Sequence, residues 1–220
     1  MPEGPEVWIL SKAINLYFIE EYNKTGLIKT NSYGKHLIIN DIKEDWSFGL
    51  SGTVAIISNN LVKVKTGWLN GDEVSFRDNE DYAFQLSRRR ILGVNWMNSS
   101  EESLHQEIEK WNKSKRKLAS LILDQSRISG IGVAWGSEIL HRAGLRPEIN
   151  ACDQSLEKLA DIIIAIREEI QEIYEKELDN NKNSLEEFIN GWFTNLYEIR
   201  EMNIYKKGSK LEVLGRSWWV

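Results

Sequence analysis

Apolar positions at Val7, Leu10, Ile14 and Phe18 recur at helical spacing, and Gly26 closes the stretch, so the chain is expected to open with a helix. From Leu27 to Trp96 the texture changes to short β-rich runs at residues 35–40, 46–50, 53–57 and 61–65, with Asn59-Asn60 and Asn70-Gly71 as turn signals. This pattern predicts two packed sheets with the first helix against them. From Ser100 onward the period becomes helical. Ser100 with Ser103 and Leu104 opens one helix, Leu118 to Leu123 form the core of a second, and residues 129–132 make a tight turn into a third. That third helix runs through Leu140 and stops at Gly144 to Pro147. Ser155 is expected to cap a long amphipathic helix with Leu156, Leu159, Ile163, Ile166, Ile170 and Ile173 on one stripe. The last residues read as a hairpin, 202–210 followed by 211–220, and no internal repeat or low-complexity linker interrupts the chain.

The expected fold class is therefore α+β: an N-terminal β-sandwich with a flanking helix (1–98), a helical domain (99–200) and a terminal hairpin (201–220). At 41% hydrophobic and 28% charged residues the composition is that of a globular protein rather than a disordered one. The longest apolar run, Ile162 to Ile166, is too short to span a bilayer, and the first residues lack the basic and apolar regions of a signal peptide. The lone Cys152 excludes an intrachain disulfide framework and any cysteine-based zinc site. An intracellular protein without a membrane partner is expected.

A net charge of −5 argues at first against a polyanionic partner, but the charge is unevenly spread. Residues 86–150 carry 11 basic and 7 acidic side chains (+4), residues 191–220 carry 5 and 3 (+2), and residues 151–190 carry 4 and 11 (−7). Exposed charges farther apart than about 10 Å are largely screened, so a basic face can bind a polyanion while an acidic face elsewhere is solvated.

The candidate chemistry begins at Pro2. Methionine removal before a small second residue would leave a secondary α-amine, whose pKa lies well below that of lysine. Such an amine attacks aldehyde-like carbons to form an iminium, with Glu3 alongside for proton transfer. Taken alone, a Met-Pro-Glu start is common and carries no role.

Further features change that reading. Residues 1–7, Met-Pro-Glu-Gly-Pro-Glu-Val, resemble the N-terminal signature of the formamidopyrimidine-DNA glycosylase/endonuclease VIII family, which repairs oxidised bases. Tyr33-Gly34-Lys35-His36 and the following Leu-Ile-Ile resemble its lysine-bearing strand, and Phe48-Gly49-Leu50-Ser51-Gly52-Thr53 is similar to its His-Leu-Gly-Met-Ser-Gly run. Residues 121–125, 128–132 and 136–147 resemble its helix–two-turn–helix element, and Gly215-Arg216-Ser217-Trp218-Trp219-Val220 the end of its β-hairpin finger. The pieces occur in family order.

The resemblance implies roles. Pro2 becomes the nucleophile at C1′ of the damaged nucleotide, Glu3 the general acid for the sugar, and Glu6 a supporting carboxylate grouped with the DNA-binding residues. Lys35 matches the lysine that contacts the phosphate backbone and assists base loss, and Arg216 the finger arginine that reaches the phosphate beside the lesion. Gln125, Gly130, Gly132 and Glu138 fall on the helix–two-turn–helix match, where small residues and a helix N-terminus suit a phosphate. Lys206 adds a basic contact from the finger. Leu50 aligns with the wedge that fills the vacated stack; Arg90 and Leu92 match an Arg-x-Phe-Gly loop facing the orphaned base, although Leu50 and Leu92 also suit a plain core.

Three departures stand out. The finger has no cysteine, which is similar to the zincless hairpin of some endonuclease VIII-like enzymes, with Tyr205 to Leu214 as the expected hairpin and Trp218 and Trp219 as its anchors. Val133 occupies the place of the usual Asn, a missing hydrogen bond of about 1 kcal/mol. The N-terminal half is short. The resemblance implies a monomeric bifunctional DNA glycosylase/AP lyase acting on oxidised pyrimidines, formamidopyrimidines or hydantoins in damaged DNA. It implies no cofactor and no metal. The alternatives are an AP lyase without base excision and a non-catalytic DNA-binding protein.

Overall fold

The computed structural model describes residues 2–20, 29–39, 44–48, 52–57, 60–66, 74–75, 91–191 and 202–220 of the chain. It has the mixed helix and strand architecture that the residue pattern predicts, divided into two units. The first comprises Met1–Arg90 and Glu172–Ile199, and the second Ile91–Gln171 and Arg200–Val220. The expected boundaries at 98/99 and 200/201 differ from these, because the sequence gives no sign that one boundary falls inside the long helix.

In the first unit, α1 (Gly4–Glu20) buries Val7, Leu10, Ile14 and Phe18 as expected. Trp8, Ile9, Ala13 and Tyr17 are buried as well, so the helix is covered beyond a single stripe. Its neighbours are β1 (Thr30–Tyr33) and β2 (His36–Ile39), which with β3 (Glu44–Ser47) form an antiparallel sheet. β1 is polar in sequence, and its residues carry no strand pattern. It is held by an amide clasp: Asn15 Nδ2 donates to the Thr30 carbonyl (2.8 Å), and the Thr30 N–H donates to Asn15 Oδ1 (2.7 Å). Thr30 Oγ1 also donates to the Ser11 carbonyl (2.8 Å), so every polar group at this buried junction is answered.

A second antiparallel sheet contains β4 (Gly52–Ile57), β5 (Asn60–Thr66) and β6 (Val74–Ser75), with the β4–β5 hairpin closing between Ile57 and Asn60. Gly26 and Asn70-Gly71 lie outside the described residues. From Glu172 the chain contributes buried Tyr174, Leu178, Leu185, Phe188 and Ile189. These are fastened by a Lys12–Glu175 ion pair, by Tyr17 Oη donating to Glu186 (3.2 Å) and by the Ile56 N–H donating to Asn190 Oδ1 (2.7 Å).

In the second unit, β7 (Val94–Asn95) pairs in parallel with β8 (Ile128–Ser129). Ser100 caps α2 (Glu101–Glu109) by accepting from the Ser103 N–H (3.3 Å), as the sequence predicts. α3 (Leu118–Ile122) and α4 (Val133–Arg142) follow. At the end of α4 the Gly144 N–H donates to the His141 carbonyl (3.0 Å) and the Leu145 N–H to the Leu140 carbonyl (2.9 Å), a Schellman closure.

The long helix α5 (Leu159–Asn180) begins at Leu159 rather than after Ser155, because residues 156–159 form a turn that closes with Leu159 N–H on the Leu156 carbonyl (3.0 Å). Its stripe of Leu159, Ile163, Ile166 and Ile170 is buried, but Ile173 is 43% exposed and Tyr174 takes the buried place. Arg167 and Gln171 donate to the carbonyls of Ser99 (2.9 Å) and Met97 (3.0 Å).

The terminal hairpin is β9 (Lys210–Val213) with β10 (Arg216–Trp219), so it starts later than the expected Tyr205. Residues 204–208 are instead a turn closed by the N–H groups of Lys207 (2.9 Å) and Gly208 (2.8 Å) on the Ile204 carbonyl. The tip, Leu214-Gly215, has φ of 54° and 69°; Leu214 adopts the left-handed region although it carries a bulky side chain and is 60% exposed.

An N-terminal site and a candidate nucleic-acid interface

At the start of α1, Pro2 and Glu3 are both buried. Pro5 falls in the first turn, where a missing N–H costs nothing. Glu6, at the third helical position, reaches back so that Oε2 accepts from the Glu3 N–H at 2.8 Å. Its other oxygen, Oε1, accepts from Tyr174 Oη at 3.1 Å. Glu6 is therefore a buried clamp on the peptide that follows Pro2. Both of its oxygens are occupied by protein donors.

Lys35 was expected on a strand, but it sits half-buried in the two-residue turn of the β1–β2 hairpin, set by the Tyr33↔His36 pairing. Gly34 takes the first turn position with φ 59°, the conformation such tight hairpins favour there. Leu50 and Arg90 lie outside the described residues.

At the start of the second unit, Leu92 is half-buried, and the apolar side chain displayed on this loop is Ile91, 85% exposed. Gly93 lets the loop lie directly on the helix–two-turn–helix turn. Its N–H donates to the Gln125 carbonyl (2.9 Å), and a Cβ there would meet the Arg127 carbonyl oxygen at 2.1 Å. Gly93→Ala is accordingly expected to destabilise this unit by about 1–3 kcal/mol, read as a lowered chemical-denaturation midpoint; an unchanged midpoint would disprove the close approach.

Gln125 organises the turn itself. Its Nε2 donates to the carbonyls of Leu123 (3.1 Å) and Ile131 (2.8 Å), and its Oε1 accepts from the Gly130 N–H (2.9 Å). The amide is thus spent on the loop, and the Gly130 N–H is spent on the amide. Together Gln125 and Gly130 hold the turn in shape. Gly132 precedes the first turn of α4, where half-buried Val133 stands. Nearby, burial pushes the Asp124 carboxyl up, but hydrogen bonds from Ser126 and Arg116 outweigh it and hold the group below its ordinary range.

Glu138 is completely buried. Its carboxylate accepts from the Asn203 N–H (2.9 Å), Asn203 Nδ2 (2.8 Å), the Ile204 N–H (3.1 Å) and Arg142 Nε (3.1 Å). The geometry makes it a clasp between α4 and the root of the finger. A bare carboxylate would also repel a phosphate. Burial pushes the Arg142 guanidinium down, but Glu169 and Glu138 outweigh it and hold it above its ordinary value.

The finger packs on the same helix. Trp218 is buried against Gly136, and the Trp219 N–H donates to Ser137 Oγ (3.1 Å). Lys206 is exposed with φ 61°, its ammonium 5.6 Å from the Tyr205 ring, and Arg216 is exposed beside the hairpin tip. Among the described residues, no group of three His, Cys, Asp or Glu side chains is placed to hold a metal ion, and no helix is long and apolar enough to cross a membrane.

The formamidopyrimidine-DNA glycosylase H2TH domain model matches residues 94–188, from β7 to the helical segment after α5. A formamidopyrimidine-DNA glycosylase of Rickettsia massiliae is 25% identical over 204 residues, covering 85% of this chain and 71% of the relative. That of Rickettsia africae is 25% identical over 202 residues, covering 84% and 72%. The chain is similar to the formamidopyrimidine-DNA glycosylases along most of its length and matches their H2TH domain. The fold agrees: the Lactococcus lactis Fpg, solved in complex with DNA containing an oxidised pyrimidine, matches with a TM-score of 0.60 at 16% identity over 99% of this chain and 97% of that one. Gln125, Gly130, Gly132 and Glu138 fall inside the matched H2TH region, whereas Pro2, Glu3, Lys35 and Arg216 lie outside it.

Proposed function

We propose that this chain is a bifunctional DNA glycosylase/AP lyase that excises oxidised bases through its N-terminal proline. The observation that carries the reading is the buried Glu6 clamp, which holds the peptide joining Pro2 to Glu3. A terminus that merely survived processing needs no such fixture.

Removal of Met1 frees the secondary amine of Pro2. Its lone pair attacks C1′, the glycosidic bond breaks, and the base departs with a proton. The amine then loses its own proton while the C1′–O4′ bond opens, and Glu3 delivers a proton to O4′, which leaves an iminium. Loss of a C2′ proton expels the 3′ phosphate, and loss of a C4′ proton expels the 5′ phosphate. Water hydrolyses the iminium and restores the amine. No oxidant or reductant is consumed.

Lys35 supplies a cation to the DNA backbone, Leu50, Arg90 and Leu92 fill or face the vacated stack, and Ile91 adds an exposed apolar side chain to that loop. Gly132 opens the helix whose N-terminus faces a phosphate, while Lys206 and Arg216 bind phosphates from the finger. The cysteine-free finger favours an endonuclease VIII-like preference for oxidised pyrimidines, formamidopyrimidines and hydantoins over 8-oxoguanine. The enzyme works on damaged DNA as a monomer inside the cell.

The test is a duplex with one thymine glycol. Free base and a 3′-phosphate end are expected; cleavage of abasic DNA alone would make the protein a lyase, and binding without cleavage a non-catalytic DNA-binding protein. Arg216→Ala is expected to weaken binding alike for all sequences and to reduce the slope of log affinity against log salt by about one unit. A sequence-dependent loss would remove the finger arginine from the phosphate.

A further inference from the structure

We infer that Tyr174 is a positioning residue for the N-terminal nucleophile, an assignment that rests on the proposed Pro2 chemistry. It enters from α5, remote in sequence from the terminus, and continues the buried series from Ile170 by one helical turn, with Leu178 one turn further on. Its hydroxyl donates to Glu6 Oε1 at 3.1 Å, and Glu6 Oε2 receives the Glu3 N–H at 2.8 Å. Tyr174, Glu6 and Glu3 are all buried.

The carboxylate is thus held at both ends. Within α1 alone, a glutamate reaching back to the helix start has several rotamers and competes with water. With one oxygen tied to a phenol on another helix, the plane of the carboxylate is fixed, and so is the line along which it receives the Glu3 N–H. That line orients the Pro2–Glu3 peptide. The neighbouring Lys12–Glu175 ion pair ties the next residue of α5 to α1, so the phenol approaches Glu6 from an anchored segment. Hydrogen bonds to charged groups buried in this way are stronger than neutral ones, and misorientation of a nucleophile slows chemistry without weakening binding.

Tyr174→Phe keeps the ring and removes only the donor. With the Met1-processed protein on a duplex containing one abasic site, the single-turnover rate of borohydride-trappable adduct formation is expected to fall about tenfold, with the dissociation constant changed less than about twofold. Glu6→Ala serves as the second background: there, adding Tyr174→Phe is expected to cause no further fall, since the phenol acts through Glu6. A trapping rate unchanged in Tyr174→Phe, an equal fall in both backgrounds, or a loss confined to affinity would each overturn the assignment. Wild-type protein that forms no adduct would instead overturn the Pro2 reading on which it rests.

Discussion

Pro2→Leu is expected to reduce covalent trapping on abasic DNA by at least about a thousandfold while leaving affinity for the same duplex within severalfold. A large second residue keeps Met1 in place, which moves the free amine by one residue, away from the peptide that Glu6 holds. The proposed phosphate contacts are untouched, so binding and covalent chemistry should separate. Intact mass of both proteins completes the comparison: wild type should lack Met1 and the variant should retain it. A variant that traps as fast as wild type would show that another amine, such as Lys35, is the nucleophile.

The largest stability effect is expected at Glu138. Glu138→Ala leaves the Asn203 and Ile204 N–H groups and Arg142 without their shared acceptor in a fully buried place, for a loss of about 3–5 kcal/mol. The destabilisation should appear first at the finger root, as faster hydrogen exchange of the Asn203, Ile204 and Trp219 amides, with slower change in α2. Uniform exchange across the unit, or a loss below about 1 kcal/mol, would contradict the clasp. Because the finger carries Lys206 and Arg216, the proposed phosphate contacts, the same variant should bind DNA more weakly even though the Glu138 carboxylate is turned to protein donors.

The helices were legible because burial of one face imposes a period that survives in sequence, as in Leu159, Ile163, Ile166 and Ile170. The Ser100 cap was legible because its side chain acts on residues three positions away. What needed the structure were contacts between distant segments. Tyr174 occupies a stripe position that reads as ordinary core, and only the buried carboxylate opposite it on α1 gives it another role. Gln125 and Glu138 carry the polarity expected of binding residues, but polarity does not reveal whether a group serves a ligand or the backbone. β7 and β8 pair over two residues each, too few for a period of two to register. The finger register slipped because residues 203 and 204 give their N–H groups to Glu138 rather than to a strand ladder.

In the proposed reaction the Pro2 nitrogen forms the covalent bond to the sugar. The most direct measurement is borohydride trapping of the wild-type, Met1-processed protein on an abasic duplex, followed by peptide mapping of the adduct by mass spectrometry. One modified peptide is expected, beginning at Pro2, with the sugar remnant on its terminal nitrogen. An adduct on Lys35 or any other lysine, or no adduct from a protein that binds the duplex tightly, would contradict it.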